Sequence, residues 1–354
     1  MTMTSDWRSD TLTLPSQEML SAITVASLGD DQYGEDATTQ RLESLAAEML
    51  GKEAALLVLS GTMGNLLSIL SHTEPGQELI LGVDSHIYNA EVGGLARIGG
   101  IIARPLMSDA YGLRPEDVEQ AIRSAGSSHR APTGLIAIEN TSNRGGGSIV
   151  PLIRLDGLAE VARRHSVPIH MDGARLFNAA VGLGIHVSEI ARHVDSVQIC
   201  MTKGLSAPLG SLLAGNQQFV DQARRYRQMV GGGMRQAGII AAAGIVALET
   251  MVDRLAEDHH NASALAKGLT KIKGLAVDSS VVDTNIVYVG VSDLGITGEY
   301  AVRELEKRGV KTLATGPAVL RFVAYKGIGS RDVEHTVNVL GDFCQAQLRD
   351  TNRD

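Results

Sequence analysis

Short apolar runs alternate with amphipathic stretches of helical periodicity over most of the chain. The apolar runs predict strands at residues 54–60, 78–82, 103–107, 134–139, 168–172, 196–202 and 211–214. The amphipathic stretches between them predict helices at residues 39–50, 115–124, 154–165 and 217–229. Because strands that alternate with helices form βαβ units, this pattern indicates an α/β fold with a mostly parallel, buried sheet.

The pattern changes after a long helical stretch at residues 236–270. Short strands at 284–291, 311–312 and 320–323 then accompany helices at 298–308 and 330–348, which is typical of a smaller α+β unit. We therefore predict a large domain over residues 1–250 and a small α+β domain over residues 251–354. The boundary falls inside the long helix.

Composition restricts the classes of function. A net charge of −8 argues against binding nucleic acid through a basic surface, and 3% aromatic residues are too few for base-stacking platforms. Residues 1–10 lack the apolar core of a signal peptide, and the longest apolar stretch, 237–248, is too short to span a membrane. The two cysteines, Cys200 and Cys344, exclude a disulfide framework, and no metal site is evident. We expect a cytoplasmic protein that binds neither nucleic acid nor membranes.

Three motifs stand at the ends of predicted strands, where ligands of α/β sheets bind. Asp172 and Arg175 follow the strand at 168–172 through a glycine turn. Lys203 follows the strand at 196–202, where a desolvated lysine can act as a nucleophilic amine. Residues 60–65, Ser-Gly-Thr-Met-Gly-Asn, lead into a helix whose amides favour an anion. Taken singly, these motifs are also compatible with a helix cap, an exposed lysine and a tight turn.

Taken together, the acid, the lysine, the arginine and the anion site suit pyridoxal phosphate. This cofactor needs a lysine for its Schiff base, an acid for its pyridinium nitrogen and a site for its phosphate. His86 follows the strand at 78–82 and could lie against the ring face, although a turn histidine is the simpler interpretation of that residue alone.

The motifs resemble the low-specificity L-threonine aldolases, fold-type I pyridoxal-phosphate enzymes of the β-eliminating lyase and threonine aldolase family. The resemblance covers essentially the whole chain in the right order. Its motifs are RSDT (8–11), GDDQYG (29–34), SGTMGN (60–65), DSHIY (84–88), ENT (139–141), HMDGAR (170–175), TKGLSAPLG (202–210) and GGGMRQ (231–236).

The resemblance implies a role for each matching residue toward the cofactor. Lys203 would hold the cofactor covalently, and Asp172 would pair with its pyridinium nitrogen. Arg175 would lie near the phenolic oxygen and the substrate carboxylate. The remaining cofactor contacts would be a phosphate site at Gly61 and Thr62, a ring-stacking His86, and an Arg235 that reaches the phosphate of a neighbouring subunit.

The same resemblance implies the substrate site and the reaction. Ser9 and Arg321 would clamp the substrate carboxylate, Tyr33 would enter the site of a neighbouring subunit, and His129 would contact the β-hydroxyl, although a surface-loop histidine is its simpler interpretation. The enzyme would cleave threonine, allo-threonine or related β-hydroxy-α-amino acids to glycine and an aldehyde. The base would be His86, His129 or a water held by them, and the protein would be a homodimer or a dimer of dimers.

Two departures from the family pattern leave the preferred substrate open. After Arg321 this chain has Phe-Val-Ala324-Tyr325, and after residues 139–141 it has Ser142 where the family has histidine. An aldolase that prefers aryl substrates such as phenylserine is one alternative. Another β-eliminating lyase or an aminotransferase of fold-type I is a second, and a non-catalytic cofactor carrier is a third.

Overall fold

The computed structural model describes residues 3–126 and 128–351, and they form two compact units. The larger unit comprises 14–145 and 149–252, and the smaller comprises 3–13, 146–148 and 253–351. The assignment of residues 1–250 and 251–354 to two domains stays a prediction.

Regular structure covers most of both units. The strands, in chain order, are β1 (Ser5–Asp6), β2 (Ala54–Val58), β3 (Glu78–Gly82), β4 (Ile102–Leu106), β5 (Thr133–Glu139), β6 (Ile169–Asp172), β7 (Ser196–Cys200), β8 (Ser211–Gly215), β9 (Ile286–Gly290), β10 (Val310–Lys311), β11 (Leu313–Gly316) and β12 (Val319–Val323). The helices are α1 (Gln17–Thr24), α2 (Ala37–Leu50), α3 (Gly61–His72), α4 (His86–Asn89), α5 (Gly94–Arg97), α6 (Pro115–Ala121), α7 (Leu152–His165), α8 (Leu176–Leu183), α9 (Ser188–Ala191), α10 (Gln217–Met229), α11 (Gly238–Thr250), α12 (Leu255–Leu269), α13 (Gly298–Glu306) and α14 (Ser330–Thr351).

The larger unit is built on one sheet with the strand order β2-β8-β7-β6-β5-β3-β4. Strand β8 pairs antiparallel with both of its neighbours, and the other pairs of adjacent strands are parallel. Residues of β3 and β7 are buried throughout, as expected for apolar strands covered on both faces. The predicted α/β fold with a mostly parallel sheet is therefore confirmed.

Helix α3 covers this sheet and begins where the glycine motif predicts an anion site. Ser60 is its N-cap, and the Ser60 hydroxyl accepts a hydrogen bond from the backbone amide of Met63 at 3.1 Å. Gly64 donates the first intrahelical bond, to the Ser60 carbonyl at 3.0 Å. The amides of Gly61 and Thr62 precede it and so have no acceptor within the helix.

The smaller unit contains an antiparallel sheet of order β11-β12-β9 and a separate parallel pair of β1 with β10. Trp7, Phe322 and Phe343 are fully buried in its core. The Trp7 indole donates to the Thr336 hydroxyl at 2.8 Å, which fixes the N-terminal segment against α14.

The single helix predicted at residues 236–270 is wrong. The structure has two helices, α11 and α12, separated by a turn at residues 251–254. The chain passes from the larger unit to the smaller one within this turn. No glycine or proline marks it, so the sequence lacks the residues that usually signal such a break.

Within the described ranges, none of the helices combines the length and the apolar character that crossing a bilayer requires.

Candidate active site

Three polar side chains stand in one row across adjacent parallel strands of the sheet. The register places Glu139 of β5 beside Asp172 of β6, and Asp172 beside Gln198 of β7. Glu139 and Asp172 are the last residues of β5 and β6, at the carboxyl edge of the sheet, and Gln198 is the central residue of β7. Ligands of α/β sheets bind at this edge.

Asp172 is held by a hydrogen-bonded network that joins it to His86. The Asn65 amide nitrogen donates to Asp172 Oδ2 at 2.8 Å and to Glu91 Oε1 at 2.7 Å. Glu91 Oε1 also lies 2.9 Å from His86 Nδ1, and the His86 backbone amide donates to Glu139 Oε2 at 2.7 Å. Two further carboxylates and one imidazole therefore surround the acid that the sequence singles out.

Charges and burial in this network shift the pKa values of His86, Glu91 and Glu139. The hydrogen bond to Glu91 raises the pKa of His86, a shift that the negative charge of Asp172 supports and the positive charge of Lys203 opposes. Burial raises the pKa of both Glu91 and Glu139, and Asp172 adds to each shift by repulsion. Asp172 and Lys203 are thus close enough to His86 to influence its protonation.

Lys203 lies half-buried in the loop after β7, and that loop is locally strained. The amide of Ser206 donates to the Lys203 carbonyl at 2.9 Å, and Ser206 has a φ of 62°, a left-handed conformation unusual for a residue other than glycine. The Ser206 hydroxyl is buried and has no hydrogen-bond partner among the described residues. Strain and an unsatisfied buried hydroxyl are typical of a loop that binds a ligand.

Glycines let the backbone approach this site closely. A Cβ on Gly61 would lie 2.8 Å from Cys200 Sγ, and a Cβ on Gly173 would lie 2.7 Å from the Gln198 carbonyl oxygen. Side chains at these positions would force apart the start of α3, the turn after Asp172 and strand β7.

These residues fit the implied cofactor, pyridoxal phosphate. The first-turn amides of Gly61 and Thr62 suit a phosphate, Asp172 offers a carboxylate to a ring nitrogen, and Lys203 supplies the amine. The buried Ser206 hydroxyl, which lacks a partner among the described residues, supports the same conclusion, because a bound polar group would satisfy it.

A metal ion is a weaker interpretation of the same cluster. The ligand atoms of His86, Glu91 and Asp172 lie within 4.8 Å of one another. However, the Asn65 amide already donates to both carboxylates, and Glu91 already pairs with His86. We therefore interpret the cluster as a hydrogen-bonded network around an organic ligand.

The other residues predicted in the larger unit occupy different surroundings. Arg175 is buried, with 7% of its surface exposed, at the start of α8. His129 lies exposed in the turn between α6 and β5. Tyr33 is 77% exposed, and the exposed Arg235 guanidinium pairs with Asp30 at 3.4 Å and contacts Gln32.

Ser9 and Arg321 belong to the smaller unit and lie near each other there. Arg321 Nη2 donates to the carbonyl of Arg8, the residue before Ser9, at 3.2 Å. The Ser9 hydroxyl accepts from the amide of Thr11 at 3.2 Å. Of the two residues predicted to bind a substrate carboxylate, Arg321 therefore contacts the neighbour of the other, Ser9, within one unit.

Four polar residues of the network received no role from the sequence: Asn65, Glu91, Glu139 and His170. Asn65 and Glu139 stand inside motifs that were recognised, and Glu91 follows His86 by five positions. His170 shares a face of β6 with Asp172, since alternate residues of a strand point the same way. That period of two, inside the recognised motif at residues 170–175, was the available signal for His170.

Comparisons with known proteins show the family to which the chain is similar. The family model described as beta-eliminating lyase matches residues 6–292. A probable low-specificity L-threonine aldolase 2 of Arabidopsis thaliana is 43% identical over 339 residues, covering 95% of this chain and 96% of the relative. The low specificity L-threonine aldolase of Escherichia coli K12 is 43% identical over 297 residues, covering 83% and 87%.

The fold is shared with a solved structure at lower identity. A threonine aldolase of Leishmania major superposes with a TM-score of 0.81 at 20% identity, covering 96% of this chain and 99% of that one. The row of Glu139, Asp172 and Gln198 and the loop that carries Lys203 are both present in this chain. From the family match and these relatives, the chain belongs to the beta-eliminating lyase family and, within it, to the low-specificity L-threonine aldolases.

Proposed function

We propose that this protein is a pyridoxal-phosphate-dependent aldolase that cleaves L-threonine, L-allo-threonine or related β-hydroxy-α-amino acids to glycine and an aldehyde. The observation that carries the proposal is that Asp172 and Lys203 both lie close enough to His86 for their charges to act on its imidazole. Relatives 43% identical to this chain carry the name of that activity.

Each group near Asp172 has a distinct task in this proposal. Lys203 holds the cofactor, Gly61 and Thr62 donate their amides to its phosphate, and Asp172 faces its ring nitrogen. The bound pyridoxal ring supplies the electron sink that stabilises the negative charge developing at Cα when the Cα–Cβ bond breaks. The protein's remaining tasks are to orient the substrate and to move one proton.

The proton to be removed is that of the β-hydroxyl. His86, His129 and a water held by them are the candidate bases, and His86 has the strongest support. Glu91 contacts His86 Nδ1 at 2.9 Å and raises the pKa of this histidine, which makes the imidazole a stronger base. A base whose pKa lies near the working pH is effective in proton transfer. His129, by contrast, lies exposed in the turn between α6 and β5.

We assign substrate binding to Ser9, Arg175 and Arg321, the residues that the resemblance implies for this role. The Arg321 guanidinium and the Ser9 hydroxyl bind the substrate carboxylate, and their proximity through Arg8 supports this assignment. Arginine suits the task because its planar fork of donors matches a carboxylate.

We further propose that the protein acts in the cytoplasm as a homodimer or a dimer of dimers. Tyr33 and Arg235 are exposed on the larger unit, as expected for residues that reach into the site of a neighbouring subunit. Cys200 and Cys344 are both buried and unbridged, which suits a reducing compartment.

The test is a product assay on the purified protein supplied with pyridoxal phosphate. L-Threonine is expected to give glycine and acetaldehyde in equal amounts, and the Lys203→Ala variant is expected to give neither. L-allo-Threonine and phenylserine in parallel assays rank the substrates. Formation of 2-oxobutyrate and ammonia alone, or transfer of the amino group to an added keto acid, would instead identify a β-eliminating lyase or an aminotransferase.

A further inference from the structure

The buried face of α3 carries a polar stripe. Asn65, Ser68 and His72 are spaced by three and four residues, so they lie on one face of the helix. Asn65 and Ser68 are fully buried against β6 and β7, where apolar residues would be the usual choice. A buried polar stripe has to be satisfied by partners on the sheet.

The sheet supplies two partners, and together they form a continuous chain of hydrogen bonds. His72 Nε2 lies 2.8 Å from Ser196 Oγ, and Ser196 Oγ lies 3.0 Å from His170 Nδ1. His170 Nε2 lies 3.0 Å from Asn65 Oδ1, and Asn65 Nδ2 lies 2.8 Å from Asp172 Oδ2. The chain therefore ends at the acid of the active site.

The Asp172 carboxylate, at one end of the chain of hydrogen bonds, determines which group donates in each bond. The Asn65 amide faces Asp172 and Glu91 with its nitrogen, because carboxylate oxygens accept, so its oxygen faces His170. His170 Nε2 must then carry a proton. Complete burial lowers the pKa of His170 to about 3, so the imidazole is neutral and its Nδ1 accepts from the Ser196 hydroxyl.

The hydrogen bonds at the His72 end of this chain of hydrogen bonds run in the same direction. Ser196 has one hydroxyl proton and gives it to His170, so Ser196 Oγ accepts from both His72 and Ser68. Burial lowers the pKa of His72 to about 4, so this histidine is neutral too and donates through Nε2–H. Every donor points toward Asp172, an arrangement in which successive hydrogen bonds strengthen one another.

We propose that His170 is a positioning residue: fixed as the Nε2–H tautomer, it holds the Asn65 amide and thereby orients the Asp172 carboxylate toward the ring nitrogen of the cofactor. The inference rests on the proposed function, because it requires pyridoxal phosphate to bind at this site. Asn65 has no freedom to rotate without losing either its two carboxylate acceptors or the His170 donor. The orientation of Asp172 therefore depends on a residue that does not touch the ligand.

A purely structural histidine would stabilise the fold and leave cofactor binding unchanged. His193 provides the matched control, because its side chain is also buried in the larger unit and hydrogen-bonded, to Asp156 at 3.0 Å and to the Ile190 carbonyl. It takes no part in the chain that ends at Asp172.

The experiment compares the variants His170→Leu, His170→Gln and His193→Leu with the wild type. Two quantities are measured: the affinity of the apoprotein for pyridoxal phosphate, and the pH titration of the bound cofactor's visible absorbance. We expect His170→Leu to weaken cofactor binding by roughly tenfold to a hundredfold and to shift the titration, because a buried acceptor is left unsatisfied beside a charged group. His170→Gln keeps an N–H near the Nε2 position and restores most of both properties. His193→Leu lowers the thermal midpoint and leaves both properties at wild-type values.

The outcomes separate the inference from the proposed function. A wild-type protein that binds no pyridoxal phosphate would refute the proposed function. A folded His170→Leu variant with wild-type affinity and titration would overturn the inference alone. If His170→Leu does not fold, Ser196→Ala replaces it, because this change keeps His170 and removes the donor to Nδ1. Wild-type affinity and titration in Ser196→Ala would then overturn the inference, and changes in both would support it.

Discussion

Asn65 Nδ2 lies 2.8 Å from Asp172 Oδ2, and Asn65 stands one helical turn after Gly61, the first residue of α3. One helix therefore supplies both the amides suited to a phosphate and the amide that holds the acid for the ring nitrogen. Because a helix is rigid over one turn, the spacing between these two sites is fixed by backbone geometry. The two ends of a planar cofactor need such a fixed spacing.

The contact between Glu91 and His86 predicts a change in pH dependence. Replacing Glu91 with Gln removes the carboxylate whose hydrogen bond is the main cause of the raised His86 pKa. The pKa of His86 should fall, so the acid limb of the profile of kcat/KM against pH should move to lower pH, since His86 must be deprotonated to act as a base.

Glu119→Gln is the control for this change, because Glu119 is a surface carboxylate that pairs with a different histidine, His165, at 2.6 Å. Its profile should coincide with that of the wild type. An acid limb that stays in place in Glu91→Gln, or moves to higher pH, would remove His86 from the role of base.

Gly173 predicts a steric effect at the turn after Asp172. In Gly173→Ala the new Cβ would lie 2.7 Å from the Gln198 carbonyl oxygen, which accepts the Gly173 amide at 2.8 Å. We expect a loss of about 1–3 kcal/mol in the free energy of unfolding, together with weaker cofactor binding. Urea denaturation of the apoprotein measures the first effect. Gly94→Ala, where a Cβ meets nothing within 4 Å, should leave both quantities unchanged.

His72 predicts how stability depends on pH. Burial lowers the pKa of His72 to about 4, whereas in the unfolded chain it is about 6.5. The unfolded state therefore binds more protons than the folded state between pH 6.5 and 4. Above pH 6.5 His72 does not reduce the free energy of unfolding. As the pH falls from 6.5 toward 4, His72 reduces it progressively. His72→Gln should lack this contribution and lose less stability on acidification, by at most about 1.4 kcal/mol per pH unit.

Chemical denaturation of both proteins at several pH values between 7.5 and 4.5 measures this difference. The expected result is two stability curves that converge as the pH falls, with the wild type more stable at pH 7.5. Parallel curves would show that His72 takes up no additional proton on unfolding.

The exposed Arg235 predicts complementation between two inactive subunits. If Arg235 reaches the phosphate of a neighbouring subunit, a mixed dimer of Lys203→Ala and Arg235→Ala contains one intact site. Random exchange of subunits in equal amounts should then restore up to about a quarter of wild-type activity. Each variant alone is the control. Absence of recovery, once exchange is demonstrated with tagged subunits, would place Arg235 in the site of its own subunit.

Much of the larger unit was predictable because its elements have strong local signals. The bounds of β3 and α10 are those that the sequence predicts, since a continuous apolar run and a strongly amphipathic stretch leave little ambiguity. Strand β11 was missed, because Leu-Ala-Thr-Gly is short, half exposed and interrupted by an irregular register between Ala314 and Gly316. Its existence depends on pairing with β12, which is a tertiary effect.

The candidate site likewise contains some residues that have a local sequence signal and others that have none. The sequence analysis singled out Asp172 and Lys203 because each follows an apolar strand at a glycine turn, which is a local signal. The partners of Asp172 were not found, because the Asn65 contact spans 107 positions in the chain. The spacing of Asn65, Ser68 and His72 is visible in the sequence, but only the structure shows that this face of the helix is buried.

The most direct test of the site is to identify the lysine that binds the cofactor. Lys203 and Lys52 are the lysines among residues 1–252 of the sequence, and burial lowers the pKa of Lys52, which would make it an alternative nucleophile. The protein loaded with pyridoxal phosphate is reduced with borohydride, digested and analysed by mass spectrometry. We expect a phosphopyridoxyl group on Lys203 and unmodified Lys52. Modification of Lys52, or of neither lysine, would contradict it.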